Sequence, residues 1–262
     1  MTATVDYRVE AGVATVTLRR PQVKNALGSE EWRQLDAHFA TAEADATVRV
    51  LVVAGEGGSF SAGGDLKTMP ERLALSVDER RAQLLSDGAA IRRLRAFEKP
   101  VVAKIDGACV GAGLSLALAC DVRLASNRAR LGATFVKVGL TGDFGLLYAL
   151  PRIVGQSRAF DLLLSGDILT AADALAIGLV SRVFADDRFE EEVARYVRNL
   201  ADGALVALAL TKEGIRRSVG ENDFEAMLKW EAEAQAALSQ TADAKEGVTA
   251  FLSRRKPIFT GR

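Results

Sequence analysis

KIDGACVGAGLSLALACD, residues Lys104 to Asp121, decides how this chain is read. A short apolar strand, Val101 to Ile105, follows Pro100; the chain turns through Asp106-Gly107, and Gly111-Ala112-Gly113 opens an apolar helix. Small residues at a helix mouth leave main-chain N–H groups open to a ligand, and those groups carry the positive end of the helix dipole. Such a mouth suits an anion or a developing oxyanion. Gly-x-Gly before a helix is also ordinary turn chemistry, so the stretch alone leaves both readings open.

A second strand-to-glycine turn lies upstream. Val48 to Ala54 is an unbroken apolar run, the pattern of a strand covered on both faces. It ends in GEGGSFSAGGDLKTM, where Gly63-Gly64 again bares main-chain N–H groups and Asp65 stands where it can cap the next turn. Before it, Val5 to Val9 and Val13 to Leu18 alternate around Ala11-Gly12 and predict a hairpin. Ser29 is the expected cap of a helix carrying Trp32, Leu35 and Phe39 on one face. His38, the single histidine, reads as an ordinary helix residue. Met69 to Glu79 is charged and without period, a loop over a pocket; helix is expected from Glu79 to Phe97, with Leu84, Leu85, Ile91 and Leu94 inward.

Downstream, Val122 to Ala125 and Leu131 to Ala133 are expected strands. Asp143 precedes a short apolar helix, where capping and chemistry compete to explain it. From Gly155 to Phe251 the pattern is mainly helical, with helices expected over Ser157–Leu164, Ala171–Ala176, Arg188–Ala201, Ala204–Ser218 and Asp223–Leu238. Strands alternating with helices, then a helical tail, predict an α/β core with a helical C-terminal appendage. Neither glycine turn has the spacing of a dinucleotide fingerprint or a phosphate-loop lysine, which counts against a doubly wound nucleotide-binding domain.

Composition narrows the function. The 262 residues are 49% hydrophobic, enough to bury a full core. Basic and acidic residues number 34 each, so no broad field points to nucleic acid or a membrane. Cys109 and Cys120 give neither a metal-ligand spacing nor a disulfide framework, which fits a reducing cytoplasm. The N-terminal segment lacks the pattern of a secretory leader, and no apolar run is long enough to span a bilayer.

Together, FSAGGDLKTM at Phe60 to Met69 and IDGACVGAGLSLALACDVRLAS at Ile105 to Ser126 resemble the enoyl-CoA hydratase/isomerase, or crotonase, family. PQVKNAL at Pro21 to Leu27, LPRIVG at Leu150 to Gly155, the run from Leu162 to Val183 and the closing AFLSRRKPIF follow in the family's order, so the likeness spans the chain. The resemblance implies a spiral of ββα units forming two roughly perpendicular sheets over residues 1–200, then a helical trimerisation region over 201–262. It also implies an acyl-CoA substrate, with coenzyme A entering only as part of that substrate, no covalently bound cofactor and no metal. The implied assembly is a homotrimer or a dimer of trimers.

Residue by residue, the family's oxyanion-hole positions fall on Gly64 and Ala112, flanked by Ala62, Gly63 and Gly111. A base that removes a proton beside a thioester drives negative charge onto the carbonyl oxygen, and two main-chain donors there are each worth about 2.7–4 kcal/mol. Lys24 and Ala26 match positions near the nucleotide; Asp65 and Leu66 continue the first glycine turn, and the resemblance implies that Arg254 reaches a phosphate, in its own or a neighbouring subunit. The hydratases' two water-holding glutamates are replaced by Ser115 and Phe135. Neither is a base near neutral pH, and no histidine is placed to make Ser115 a nucleophile.

Asp143, in GLTGDFG, matches the aspartate of isomerase members of the family. The expected chemistry is a one-base double-bond shift. Asp143 moves a proton, Gly64 and Ala112 hold the dienolate oxygen, and Phe135 and Phe144 wall out water and raise the carboxyl pKa. The alternatives are a hydratase-like lyase with atypical residues, an acyl-CoA hydrolase or dehalogenase using Asp143 as nucleophile, and a non-catalytic acyl-CoA-binding subunit.

Overall fold

The computed structural model describes residues 3–261. The predicted hairpin is present: β1 (Val5–Glu10) pairs antiparallel with β2 (Val13–Leu18), and α1 (Ser29–Ala44) follows. Strands β3 (Val50–Gly55), β4 (Val101–Ile105), β6 (Val122–Ser126) and β9 (Arg182–Phe184) then add in parallel, giving one sheet of order β1-β2-β3-β4-β6-β9. A smaller sheet orders β5 (Ala108–Val110), β7 (Arg130–Gly132) and β8 (Ile168–Thr170).

The chain alternates between the two layers. After β4 it turns through Asp106-Gly107 into β5, and after β6 it crosses into β7. After β3 it reaches Ser61, which bridges Cys109 of β5, while Gly64 bridges Leu27. Each turn of this spiral therefore leaves one strand in the large sheet and sends the next segment, glycine turn included, into the small layer. That repetition places the two glycine turns side by side.

Helices cover both faces of the large sheet. Val50, Val52, Val102 and Leu124 pack beneath Phe189, Val193 and Val197 of α9 (Phe189–Ala201), while Leu51, Val53, Val101 and Ala103 enter the main core. This two-sided burial is why β3 reads as an unbroken apolar run. The remaining helices are α2 (Met69–Leu73), α3 (Val77–Asp87), α4 (Ala89–Ala96), α5 (Ala112–Ala119), α6 (Leu146–Val154), α7 (Gln156–Ser165), α8 (Ala171–Ala176), α10 (Leu205–Ser218), α11 (Phe224–Ser239) and α12 (Ala242–Leu252). Lys212 of α10 docks the tail: its buried ammonium bonds Asp121 at 2.6 Å and the Lys99 carbonyl at 2.8 Å. No described helix is long and apolar enough to cross a membrane.

Several expectations are corrected. Gly28, not Ser29, caps α1: the Glu31 carboxylate accepts from the Gly28 N–H at 2.8 Å, and the Ser29 hydroxyl is turned to Asp87. The segment from Met69 to Glu79 is not a bare loop, since α2 opens at Met69 with Pro70 in its first turn and a Ser76–Glu79 capping box starts α3. The single helix expected to Phe97 is split at Gly88, and Leu85 faces solvent. Gly145, not Asp143, holds the N-cap of α6. Strands β8 and β9 and helix α12 had no expected counterpart.

Candidate active site

The two glycine turns are packed backbone to backbone. The Ser61 and Val110 amides donate to the Ala108 and Ser61 carbonyls at 2.8 and 3.1 Å, and the Ala62 amide donates to Lys24 at 2.8 Å. Leu27 is gripped from both sides, donating to the Gly63 carbonyl at 2.8 Å and accepting from the Asp65 amide at 3.0 Å. Gly63 has φ +90°, and a Cβ there would stand 2.8 Å from the Val110 oxygen. Only glycine fits so close an approach in that conformation.

Beneath these turns Arg20 acts as an anchor that its sequence context, the end of a hairpin, did not reveal. Its guanidinium donates to the Ala26 carbonyl at 3.0 Å and to Asp65 at 2.9 Å, with Glu31 at 3.3 Å. Burial works to raise the Asp65 carboxyl; the Arg20 bond and the Lys67 amide outweigh it, and its pKa is lowered. Asp65 also caps the turn that follows. The expectation that Asp65 binds substrate is therefore corrected, because its carboxylate is committed to holding the loop.

What the turns leave open is a cavity of about 110 Å³. Gly64 and Ala112 line it, and among the described residues neither N–H group donates to a protein acceptor. Ala112 is the first residue of α5, so its amide has no partner within the helix. Ala62, Gly63, Gly111 and Leu66 line the same space, with Phe135 and Phe144 on its apolar side.

Asp143 reaches this cavity from the loop before α6. Its Oδ1 is buried without a hydrogen-bond partner. Burial, with repulsion from Asp87, pushes its pKa up to about 6 against the opposing pull of Arg80, Arg72 and its own amide. Phe144 fixes the loop, with its ring 4.5 Å from that of Trp32 at a left-handed φ of +49°. Ser115 is not in the cavity lining. Its hydroxyl donates to the Asp143 main-chain carbonyl at 3.0 Å, so the expected substrate contact is replaced by a structural one.

The local sequence did not reveal three further lining residues, Arg72, Arg80 and Asp87. Arg72 comes from α2, inside the segment that read as a loop, and Arg80 and Asp87 come from α3, where a helix was expected but these positions were not singled out. Burial raises the Asp87 carboxyl, and the Ser29 hydroxyl, donating at 2.9 Å, opposes it. Lys24 is exposed beside the first glycine turn, and Ala26 is buried behind it. Arg254 is exposed and is not among the residues lining the cavity. A larger open groove, about 830 Å³, runs between the large sheet and α9, and neither Gly63-Gly64 nor Gly111-Ala112-Gly113 lines it.

Two unpaired amides and a buried carboxyl lining one cavity can stabilise an oxyanion while a proton moves beside it. Comparison with known proteins says whose chemistry this is. Residues 8–262 match the family model described as enoyl-CoA hydratase/isomerase. The chain belongs to that family.

Among enoyl-CoA hydratase/isomerase relatives, the 2,3-dehydroadipyl-CoA hydratase of Escherichia coli is 37% identical over 95% of this chain and 96% of its own length. The 1,2-epoxyphenylacetyl-CoA isomerase of the same organism is 36% identical, with 97% of each chain covered. A crystal structure named for the family, from Mycobacterium abscessus, superposes with a TM-score of 0.94 at 36% identity, covering 98% of this chain and all of its own. The fold is thus the crotonase fold, and the protein is an acyl-CoA-processing family member. Relatives carry both hydratase and isomerase names, so the reaction must be argued from the site.

Proposed function

We propose that this chain is an enoyl-CoA isomerase in which Asp143 removes a proton next to, or conjugated with, the thioester and returns it to another carbon. The observation that carries the proposal is the Asp143 carboxyl: its Oδ1 has no partner, its pKa is pushed up to about 6, and it shares a cavity with the free amides of Gly64 and Ala112. A carboxyl so raised can act as base and then as acid near neutral pH. The amides would hold the dienolate oxygen while Phe135 and Phe144 keep water from adding.

Hydration is disfavoured by the site. With Ser115 tied to a main-chain carbonyl and Phe135 in the lining, the positions of both water-holding glutamates lack a base. In the same proposal Lys24, Ala26 and Leu66 flank the coenzyme A moiety. Exposed Phe251, Leu252 and Ile258 support burial of the C-terminal region in a trimer or a dimer of trimers, where Arg254 would meet a neighbour's phosphates.

The test is incubation with 2-enoyl- and 3-enoyl-CoA in deuterated water, read by mass spectrometry. Double-bond migration that disappears in D143N, with acyl-CoA binding retained, is the expected result. Full turnover by D143N would end the proposal. Heavy oxygen from labelled water appearing in Asp143 would instead make it a nucleophile, and the absence of any exchange would leave a binding subunit.

A further inference from the structure

The C-terminal end of α5 lines a separate cavity of about 210 Å³, between the core and α10. It lies roughly 10 Å along the helix from the Ala112 amide. Four guanidinium groups, those of Arg95, Arg123, Arg152 and Arg216, line it with a single carboxylate, Asp121. That carboxylate is already shared. One oxygen holds Lys212 at 2.6 Å and the Val101 amide at 2.8 Å, and the other faces Arg216 at 3.4 Å. Among the described residues, Arg95, Arg123 and Arg152 pair with no carboxylate.

Arg123 is the member hardest to explain by packing alone. It is only 8% exposed; its Nε donates to the Leu179 carbonyl at 2.8 Å and its Nη1 to the Cys120 carbonyl at 2.9 Å, but among the described residues Nη2 has no acceptor. Arg95 and Arg152 both lie over the Tyr148 ring, 4.8 and 3.8 Å from its centroid, so one ring gathers two like charges at the cavity wall. Burial lowers the Arg216 pKa, and repulsion from Arg95 adds to it against the pull of Asp121.

A guanidinium stays charged under all ordinary conditions, and a buried one without a counter-ion is costly unless a ligand supplies it. Arginine's planar fork presents paired donors to phosphate oxygens, and four cations against one shared carboxylate match a dianion better than a single carboxylate. We infer that this cavity binds a phosphate group, at a site separate from the paired amides of Gly64 and Ala112. The phosphate accepts from the free Nη2 of Arg123 and offsets Arg95 of α4, Arg152 of α6 and Arg216 of α10, tying the helical tail to the core.

The test is calorimetric titration of the full chain with inorganic phosphate at pH 8, with ionic strength held constant by chloride and coenzyme A present at saturation. Saturable binding is expected, weakened at least about tenfold in R95Q and in R152Q, the effect of losing one charge-assisted hydrogen bond. R33Q, which removes an exposed arginine of α1 far from the cavity, should bind as wild type does. All three variants are checked for folding by circular dichroism. A second arm with glycerol 3-phosphate separates the sources: tighter binding than phosphate assigns the site to a phosphomonoester, weaker binding to the free ion.

Absence of saturable phosphate binding by the wild-type protein overturns the inference whatever the variants do. Equal affinity in wild type, R95Q and R152Q overturns it too, as does binding seen only when coenzyme A is left out, which would place the phosphate in the coenzyme site. None of these readouts uses turnover, so the inference and the isomerase proposal fail independently.

Discussion

The Ser115 hydroxyl donates to the main-chain carbonyl of Asp143 at 3.0 Å, joining the first turn of α5 to the loop that carries the candidate base. The Asp143 carbonyl also accepts the Leu146 amide at 3.0 Å, so Ser115→Ala leaves it one partner. The variant should fold with a loss of about 1 kcal/mol. Its kcat should fall about tenfold to a hundredfold through misplacement of the carboxyl, at nearly unchanged KM. Steady-state kinetics with a 3-enoyl-CoA checks this, and an unchanged kcat would leave the bond a packing detail.

Ala112→Pro offers a way to delete one oxyanion donor with little damage to the fold. Position 112 opens α5, where proline's missing N–H is tolerated, and the preceding Gly111 lies at φ +54°, outside the helical region that proline disfavours in its neighbour. Turnover should drop by about a hundredfold to a thousandfold. Infrared spectra of a bound acyl-CoA should show less polarisation of the thioester carbonyl than in wild type. Wild-type turnover by a folded A112P protein would remove the amide from the mechanism.

The fold and half of the site were legible in the sequence because their signals are local. β3 announces two-sided burial in six consecutive residues, and the Gly63-Gly64 and Gly111-Ala112-Gly113 turns are contiguous. Strands β8 and β9 are three residues each and exist through pairing with β7 and β6 far back in the chain, so no window contains their cause. Arg72, Arg80 and Asp87 enter the cavity from two short helices, α2 and α3, separated at residues 74–76, where no single period marks an inward face. The Arg20–Asp65 bond spans a separation of 45 residues, which is why the sequence showed Asp65 as a turn cap or a ligand contact and did not show Arg20 as its partner.

The raised Asp143 carboxyl has a cost in stability whose sign depends on pH. Its folded pKa of about 6 lies above the ordinary 3.8, so the ionised form is penalised in the folded state. The penalty is complete above pH 6, shrinks as pH falls, and vanishes below about 4. Asn cannot ionise, so D143N should be more stable than wild type at pH 8 by on the order of 2 kcal/mol. Denaturant titrations at pH 8 and pH 4 check this: the advantage should appear at the first and be lost at the second.

Asp87 should tune the base without replacing it. Its charge repels that of Asp143 and so holds the Asp143 pKa up, against the attraction of Arg80 on α3 and Arg72 on α2. In D87N the amide oxygen can still accept from Ser29, which spares the local packing that the hydroxyl now supports at 2.9 Å. With the repulsion gone, Asp143 should lose its proton at lower pH. Because kcat/KM against pH reports the free enzyme's essential base, its acid limb should move to lower pH in D87N, leaving the variant more active than expected near pH 5. If turnover is instead abolished at every pH, Asp87 carries a proton itself, and the one-base scheme would have to become a two-base relay across the cavity.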